Sequence, residues 1–346
     1  MERERSEKIP VLVLFGPTAS GKTNVLLRLF GPGGLYGRNA EIISADSMQV
    51  YRGMDIGTAK PSPAERALLP HHLIDIRDPC EQFNAGDFVR LAGEAVIETA
   101  RRGALPVVSG GTGFYLKNLV MGLPEAPPSD AAIRAALRLE LEEKGASALM
   151  EELARFDPAS AKKIHVNDEY RLLRALEVLR LSGRPLSSFS ETGAEQGASP
   201  EGRFRSGCRF LVAGLFRPRE ELYRRINERC ASMFACGLPD EVHRLHEAGY
   251  TPRDPGLRAI GYREFFVEEE QARETGGPAL NANFRLSRDI PGVQALVAQN
   301  SRRYAKRQAT YFSALPGAVK VSAGNDDEET ARRLLAELEA FFQAGA

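Results

Sequence analysis

The chain has 346 residues, 43% of them hydrophobic, and its 46 Lys and Arg residues balance 46 Asp and Glu residues. This length predicts one large domain or two of medium size, with enough apolar residues for a substantial core. The formal net charge of zero excludes an overall basic surface, so any nucleic-acid site must be a local patch.

The cysteines, histidines and apolar runs indicate neither a metal centre nor a membrane segment. The four cysteines contain no C-x-x-C pair, and His243 and His246 are more typical of a helix surface than of metal ligands. Residues 1–5 lack the apolar core of a signal peptide. No apolar run approaches the length of about 18 residues that spans a membrane. We therefore expect a reduced, cytoplasmic enzyme without membrane contact, and nothing requires more than a monomer.

The first motif is a glycine-rich loop with the sequence GPTASGKT. An apolar run at 11–15 precedes it and a helix-prone segment at 24–29 follows it, which is the order that a phosphate-binding P-loop requires. In such a loop the backbone N–H groups face an anion, the lysine adds charge and the threonine reaches Mg²⁺. A chance match is the alternative. The predicted diphosphate- or nucleotide-binding residues are Gly16, Pro17, Thr18, Ala19, Ser20, Gly21, Lys22 and Thr23, with Thr23 as the ligand of a Mg²⁺ cofactor.

Two further apolar runs, at 41–45 and 106–109, are typical of buried strands. The first ends at Asp46, and the second leads into a glycine turn that carries Thr112. Because the carboxyl ends of parallel strands meet at one crevice, we expect both side chains to face the P-loop. Each has a simpler alternative: an aspartate that caps the next turn, and a strand-to-helix turn without a ligand.

The segments between these strands are a predicted loop, a strand and a helix. The polar, glycine-punctuated segment 48–61 is not periodic, which is typical of a binding loop. Residues 70–76 predict a second short strand. Asn84 is the expected N-cap of a helix that ends near Arg102.

The middle of the chain has a helical pattern. From about residue 130 to 185, apolar residues recur at spacings of three and four, with a break at Asp157. A proline-rich segment precedes this region, a Ser- and Gly-rich segment at 186–207 follows it, and a strand resumes at 208–215. We predict an α/β fold, a P-loop NTPase-like parallel sheet core with an inserted all-helical domain. The predicted boundaries are 1–122 and 205–346 for the core with its C-terminal helices, and 123–204 for the insert.

Local basic clusters favour a nucleic acid as a partner. Arg171 and Arg174 share one face of a predicted helix, 258–263 is a glycine-hinged basic and aromatic segment, and 302–312 is a basic helix with interleaved aromatics. Such faces suit a phosphate backbone with bases stacked on rings. A solvated basic surface is the simpler alternative.

Two arginines on another predicted helix indicate an anion. Arg225 and Arg229 are stacked at i, i+4 and repel each other unless an anion or a carboxylate lies between them. Glu221, four residues before Arg225, is the carboxylate that would make this an ordinary salt-bridged helix.

Several segments together resemble the tRNA dimethylallyltransferase family, the bacterial tRNA isopentenyltransferases. The most specific is SADSMQVYRGMDIGTAKP at 44–61, whereas many NTPases share the P-loop. The segments follow the family's order and cover most of the chain, although 271–293 resembles an insertion. The other matching segments are GPTASGKT at 16–23, HHLIDIRDP at 71–79, GGTGFYLKNL at 110–119, IHVNDEYRLLRALEV at 164–178, GLRAIGYREF at 256–265 and AKRQATYF at 305–312.

The resemblance implies an activity. A dimethylallyl group would pass from its diphosphate to N6 of adenosine 37, next to the anticodon, in tRNAs that read codons beginning with U. The P-loop would bind the donor's diphosphate rather than ATP. Asp46 would act as general base or hydrogen-bond acceptor on N6, and Thr112 would contact the same region. Arg229, with Arg225, would neutralise the leaving diphosphate.

The resemblance also implies a tRNA-binding surface, with the helical insert closing over the anticodon stem-loop. The target base would leave its stack to enter the crevice, where Tyr51 or Tyr262 is a candidate to hold it. The implied tRNA contacts are Asp46, Ser47, Met48, Gln49, Thr112, Arg134, Tyr170, Arg171, Leu172, Leu173, Arg174, Arg258, Gly261, Tyr262, Arg263, Arg302, Arg303, Lys306, Arg307 and Gln308.

Three alternatives share parts of this pattern. A P-loop small-molecule kinase has the same loop and arginines but does not explain the basic aromatic helix at 302–312, and it would turn over ATP. A noncatalytic RNA-binding NTPase switch needs γ-phosphate-sensing loops, of which 44–61 gives no sign. An adenylate isopentenyltransferase acting on free nucleotide does not explain the helical insert.

Overall fold

The centre of the protein is a parallel β-sheet. The structure is a computed structural model that describes residues 8–123, 126–189, 204–268, 284–313, 315, 317–324 and 326–345. Its strands are β1 Ile9–Phe15, β2 Ala40–Ser44, β3 His71–His72, β4 Leu105–Gly110, β5 Cys208–Phe216, β6 Phe266–Glu268, β7 Phe284–Leu286 and β8 Val319–Ser322. Six of them pair in parallel in the order β3-β2-β4-β1-β5-β8, while β6 and β7 form a separate antiparallel pair.

Helices cover both faces of the sheet and form the segment between β4 and β5. They are α1 Lys22–Phe30, α2 Pro63–Leu68, α3 Ala85–Arg101, α4 Gly113–Met121, α5 Ala131–Phe156, α6 Pro158–Lys163, α7 Glu169–Ser182, α8 Arg219–Ala235, α9 Leu238–Glu247, α10 Ile290–Ser313 and α11 Asp327–Gln343. The predicted α/β fold with a parallel sheet is confirmed.

Strand β1 occupies the middle of the sheet because its side chains are apolar on both faces, as a doubly covered parallel strand requires. Val13 and Phe15 pack with α3, α4, α8 and α10 on one face. Leu12 and Leu14 pack with α1 and α11 on the other. The P-loop that follows β1 is therefore anchored between two cores.

Two local predictions have different outcomes. Asn84 caps α3 as predicted, and its side chain accepts hydrogen bonds from the backbone of Gly86 and Asp87. The strand predicted over 70–76 is wrong in length, since only His71–His72 pairs with β2. The cause is local: Leu73 and Asp75 have positive φ angles of 61° and 58°, which end the extended conformation.

Helices α5, α6 and α7 pack around an apolar cluster of their own that includes Leu137, Leu153 and Leu176. The predicted break is confirmed, because α5 ends before Asp157, whose carboxylate accepts from the backbone of Ser160 and caps α6. The domain boundaries stay predictions. Residues 124–125, 190–203 and 269–283, within the predicted linkers and insertion, lie outside the described residues.

The described ranges contain no helix that is both long and apolar enough to cross a bilayer.

Candidate active site

A cavity of about 580 Å³ opens at the carboxyl ends of β1, β2 and β4. The sheet positions it, because the segments that leave these strands meet there. Helices α8 and α10 close the opposite side. The lining residues that bear on its chemistry are Thr18, Ala19, Ser20, Gly21, Lys22, Thr23, Asp46, Gln49, Gly111, Arg225, Arg229, Tyr304 and Gln308.

The P-loop presents unpaired backbone N–H groups to this cavity. Gly21, which precedes α1, has a φ angle of 95° and offers no side-chain cap, so the first N–H groups of the helix have no partner among the described residues. Ala19 also has a positive φ of 62°, which is uncommon for a residue with a Cβ. This local backbone leaves the start of α1 open to an anion.

Two cations share the cavity. The Lys22 ammonium donates to the carbonyl oxygens of Gly16 at 2.8 Å and Pro17 at 3.1 Å. Burial, together with repulsion from Arg229, lowers the pKa of Lys22 to about 8, although Asp46 opposes the change. Burial also lowers the pKa of Arg229, whose guanidinium has no hydrogen bond or ion pair among the described residues. Two such cations in one crevice favour binding of a multiply charged anion.

Arg225 contacts the P-loop and not Glu221. Its Nε atom donates to the carbonyl oxygen of Ala19 at 3.0 Å. Glu221 pairs instead with Arg217 at 2.6 Å, so the suggested Glu221–Arg225 bridge is wrong. Sequence reasoning missed Arg217. The available signal was its position directly after β5, at the same edge of the sheet as the P-loop.

Asp46 has two environments at once. One carboxylate oxygen, Oδ1, accepts from the backbone N–H groups of Met48 at 2.8 Å and Gln49 at 3.3 Å. This is the turn-capping arrangement that the sequence left open. The other oxygen, Oδ2, accepts no hydrogen bond in the described part of the chain, and Asp46 lines the cavity. The residue therefore caps a turn and still offers an acceptor to a ligand.

Thr112 and Gln308 join the turns around the cavity. The Thr112 hydroxyl accepts from the backbone N–H of Ser47 at 3.0 Å. The Gln308 carboxamide accepts from the backbone N–H of Thr18 at 2.9 Å and donates to the carbonyl oxygen of Gly111 at 2.7 Å. Gln308 thus bridges the P-loop and the turn after β4.

A buried carboxylate on α9 holds the loop that follows Asp46. Glu241 is 2% exposed and accepts from the backbone N–H groups of Asp55, Ile56 and Gly57 at 2.9 to 3.2 Å. It also accepts from the Tyr262 hydroxyl at 2.6 Å. No spacing in the sequence connects Glu241 with this loop, so the contact was not predicted.

Comparison with known proteins identifies the family. The family model described as IPP transferase matches residues 49–314. A protein named tRNA dimethylallyltransferase from Geobacter sulfurreducens is 42% identical over 315 residues, covering 90% of this chain and 91% of its own. A second, from Methylibium petroleiphilum, is 41% identical over 338 residues and covers 96% of both chains. The chain belongs to the IPP transferase family.

Solved structures agree with the fold of this IPP transferase. A tRNA isopentenylpyrophosphate transferase from Bacillus halodurans superposes with a TM-score of 0.63 at 32% identity, covering 97% of this chain and 99% of its own. A eukaryotic dimethylallyltransferase crystallised acting on tRNA gives a TM-score of 0.72 at 24% identity, covering 97% of this chain and 80% of its own. At that identity the second comparison concerns the fold alone.

Part of the predicted tRNA surface of the transferase lies on its helical segment. Arg134 and Arg174 both donate to the buried Glu177, at 3.0 Å and 2.8 Å. The Arg134 guanidinium also lies over the exposed Tyr170 ring, 4.6 Å from its centre. Burial raises the pKa of Glu177, but hydrogen bonds from Ser129 and Arg174 outweigh it and hold the pKa below the usual range. Glu177 therefore holds the side chains of both arginines in place, a role that the sequence did not predict.

The other predicted tRNA contacts of the transferase differ in exposure: some of these side chains are buried and others are exposed. Leu172, Leu173 and Tyr262 are buried, and the buried Gln308 side chain binds Thr18 and Gly111. In this conformation these four side chains face protein and not an RNA-accessible surface. Tyr51 is also buried, whereas Tyr304 lines the cavity, and burial raises its pKa to about 12. Ser47, Met48, Gln49, Gly261 and Arg302 are half-buried or buried, and Arg171, Arg258, Arg263, Arg303, Lys306 and Arg307 are exposed.

The donor set of the transferase fits Mg²⁺ bound mainly through a ligand. The Thr23 hydroxyl is exposed at the cavity, and no group of three acidic, His or Cys residues suited to a metal occurs in the described ranges. Mg²⁺ keeps several waters and is commonly held by substrate phosphates with few protein ligands. Thr23 would supply that protein ligand, as the sequence predicts.

We expect the transferase to bind an organic diphosphate more weakly as pH rises through about 8. Lys22 is a cation below its pKa of about 8 and neutral above it. A bound diphosphate, whose terminal phosphate ionises near pH 6, stabilises the cation. The dissociation constant should therefore be flat from pH 7 to 8 and then rise by up to about tenfold per pH unit. Calorimetric titration measures it. Lys22→Arg should flatten the rise, and an equally steep rise in that variant would contradict the assignment.

We expect Glu241→Gln to lower the free energy of unfolding by about 2–3 kcal/mol, because an amide donor would then face backbone donors. Urea unfolding monitored by circular dichroism measures this change. Tyr262→Phe, which removes only the hydroxyl at 2.6 Å, should lower it by about 1 kcal/mol. Equal losses in the two variants would show that the backbone contacts of Glu241 contribute nothing.

Proposed function

We propose that the enzyme transfers a dimethylallyl group from dimethylallyl diphosphate to N6 of adenosine 37 in tRNAs that read codons beginning with U. The products are N6-(dimethylallyl)adenosine and diphosphate. The observation that carries the proposal is that one cavity joins an anion site, with Lys22 and Arg229, to a carboxylate acceptor at Asp46. An anionic leaving group and a nitrogen nucleophile each have a partner there.

The cationic side of the cavity suits the leaving diphosphate. Breaking the allylic C–O bond leaves negative charge on the diphosphate oxygens. Lys22, Arg229 and the start of α1 line the cavity in which that charge would develop, so little reorganisation would be needed during the reaction. Mg²⁺, held through Thr23, would add charge neutralisation on the same oxygens.

The acidic side suits the nucleophile. The adenine N6 lone pair is delocalised into the ring, so N6 becomes nucleophilic as its proton is withdrawn. The Oδ2 oxygen of Asp46 is available to accept that proton while Oδ1 keeps the turn in place. The C–N bond forms, the C–O bond breaks, the N6 proton passes to Asp46 and the electron pair leaves with the diphosphate.

The exposed basic residues suit the tRNA partner. Arg303, Lys306 and Arg307 are exposed on α10, next in sequence to the cavity-lining Tyr304 and Gln308, and Arg258 and Arg263 are exposed on the segment 258–263. Lys and Arg at such positions bind phosphates. An adenine inside a loop reaches a cavity of about 580 Å³ only after it leaves its stack.

The test is prenyl transfer to defined RNAs. The protein is incubated with Mg²⁺, labelled dimethylallyl diphosphate and an anticodon stem-loop that carries A37 and A36, the base that pairs with a first codon U. Label should enter this RNA and not its G37 counterpart, and a G36 counterpart should react more slowly. Label on free AMP alone would indicate a free-nucleotide transferase. Consumption of ATP on a small acceptor would overturn the proposal in favour of a kinase.

A further inference from the structure

A buried arginine supports the P-loop from the side that faces away from the cavity. Arg217 follows β5 directly, and its side chain has no exposed surface. Arg217 is absent from the cavity lining, whereas its neighbours Ser20 and Gly21 belong to it. The guanidinium therefore lies behind the loop and does not contact a ligand in the cavity.

Four of the five N–H donors of the Arg217 guanidinium bind protein atoms. Its Nε atom donates to the carbonyl oxygen of Ser20 at 2.8 Å. The Nη1 atom donates to the carbonyl oxygen of Gly324 and to Glu221, both at 2.6 Å. The Nη2 atom donates to Asp327 at 3.2 Å. One side chain thus joins the P-loop to α8 and to the start of α11.

The bond to Ser20 determines where the next N–H group points. In a planar trans peptide the C=O and the following N–H point in opposite directions. Because Arg217 binds the Ser20 carbonyl from behind, the Gly21 N–H is directed away from Arg217 and towards the cavity. Arg225 binds the preceding carbonyl, that of Ala19, so two consecutive carbonyls of the loop are held by arginines.

Asp327 couples the same loop to the C-terminal helix. It is the first residue of α11, and its second carboxylate oxygen accepts from the Asn24 side chain of α1 at 2.9 Å. Helices α1 and α11 also pack in one apolar cluster through Val25, Leu29 and Leu334. Loss of Asp327 would therefore remove one contact of Arg217 and one of Asn24 at the same time.

We propose that Arg217 and Asp327 are positioning residues that keep the P-loop N–H groups aligned for the diphosphate of the prenyl donor. They act through Ser20 and Gly21 and touch neither substrate. This inference rests on the proposed function, because it takes dimethylallyl diphosphate as the ligand of the loop. It makes the affinity for the donor dependent on a helix that contributes no residue to the cavity.

The experiment compares Asp327→Asn and Arg217→Lys with the unaltered protein. Dissociation constants for dimethylallyl diphosphate and inorganic diphosphate are measured with Mg²⁺, and the KM for stem-loop RNA is measured at saturating donor. Asp327→Asn should raise both dissociation constants several-fold, and Arg217→Lys, which loses the fork of donors, by about tenfold or more. The KM for RNA should stay within about twofold of the unaltered value in both variants.

Two controls separate positioning from stability. Leu338→Ala removes a buried side chain from α11 and should lower Tm without changing any dissociation constant. Arg332→Ala breaks an exposed pair on the same helix and should change neither. Lower Tm with unchanged diphosphate affinity in both test variants would overturn the inference. Failure of the unaltered protein to bind either diphosphate would instead overturn the proposed function.

Discussion

Asp46→Ala should lower the rate of prenyl transfer at saturating substrates by about 100-fold or more, because the N6 proton loses its acceptor. The binding of dimethylallyl diphosphate should change little, since the P-loop cations are intact. Single-turnover transfer of label to an A37 stem-loop, with the dissociation constant of the donor measured in parallel, tests this prediction.

Asp46→Asn is the matched control, because the turn-capping role of Asp46 has to be separated from its role as acceptor. The amide oxygen of the asparagine can still accept from the N–H groups of Met48 and Gln49, so the turn should persist. The amide cannot take up the N6 proton. We expect this variant to be nearly as slow as Asp46→Ala. A near-normal rate would mean that Asp46 serves only as the cap of its turn.

Arg229→Ala should lower the rate of the chemical step by about 10²–10³-fold, since removal of one preorganised donor from a developing anion typically has this effect. Arg229 has no competing protein partner in the described ranges, so its whole donor set is available to the leaving diphosphate. The Nε atom of Arg225 already donates to the Ala19 carbonyl. Arg225→Ala should therefore slow the chemical step less than Arg229→Ala does. Rapid-quench measurement of single turnovers isolates this step from product release.

Two further variants test the Arg229 assignment. Arg229→Lys keeps a charge but loses the fork and should recover only part of the rate. Arg219→Ala, at an exposed position on the same helix, should leave the rate unchanged. A raised KM in Arg229→Ala, with a normal single-turnover rate, would mean that Arg229 contributes to ground-state binding and not to stabilisation of the leaving group.

The sequence predicted those parts of the fold and site whose information is local. The P-loop is a contiguous motif between a strand and a helix, and Asp46 follows an apolar run that is recognisable as a buried strand. Glu241, Arg217 and Glu177 were missed because each binds backbone or side-chain atoms far away in the chain, and no periodicity records such a pairing. These contacts appear only when the packing of the helices and strands in three dimensions is known.

The burial of Leu172 shows how two patterns can compete. Its helical spacing with Leu176 and Leu179 predicts an inward face, whereas the resemblance includes it in an RNA-contacting segment. In the structure it is fully buried among the helices, and its neighbour Arg171 is exposed. Periodicity predicts the burial of this side chain correctly, and the tRNA contact that the resemblance implies stays a prediction, because a motif marks a segment and does not distinguish its faces.

The bridge made by Gln308 has a consequence for how the two substrates of the proposed reaction affect each other's binding. Helix α10 bears the exposed Arg303, Lys306 and Arg307 on one side, while Gln308 on its buried side holds the Thr18 N–H of the donor loop. If RNA on the basic side of α10 moves the helix, Gln308 would move the Thr18 N–H of the P-loop with it. Occupancy of one subsite must then alter affinity at the other by the same factor in both directions. Under the proposed reaction, the prenyl donor and the RNA acceptor would then be thermodynamically linked ligands and not independent ones.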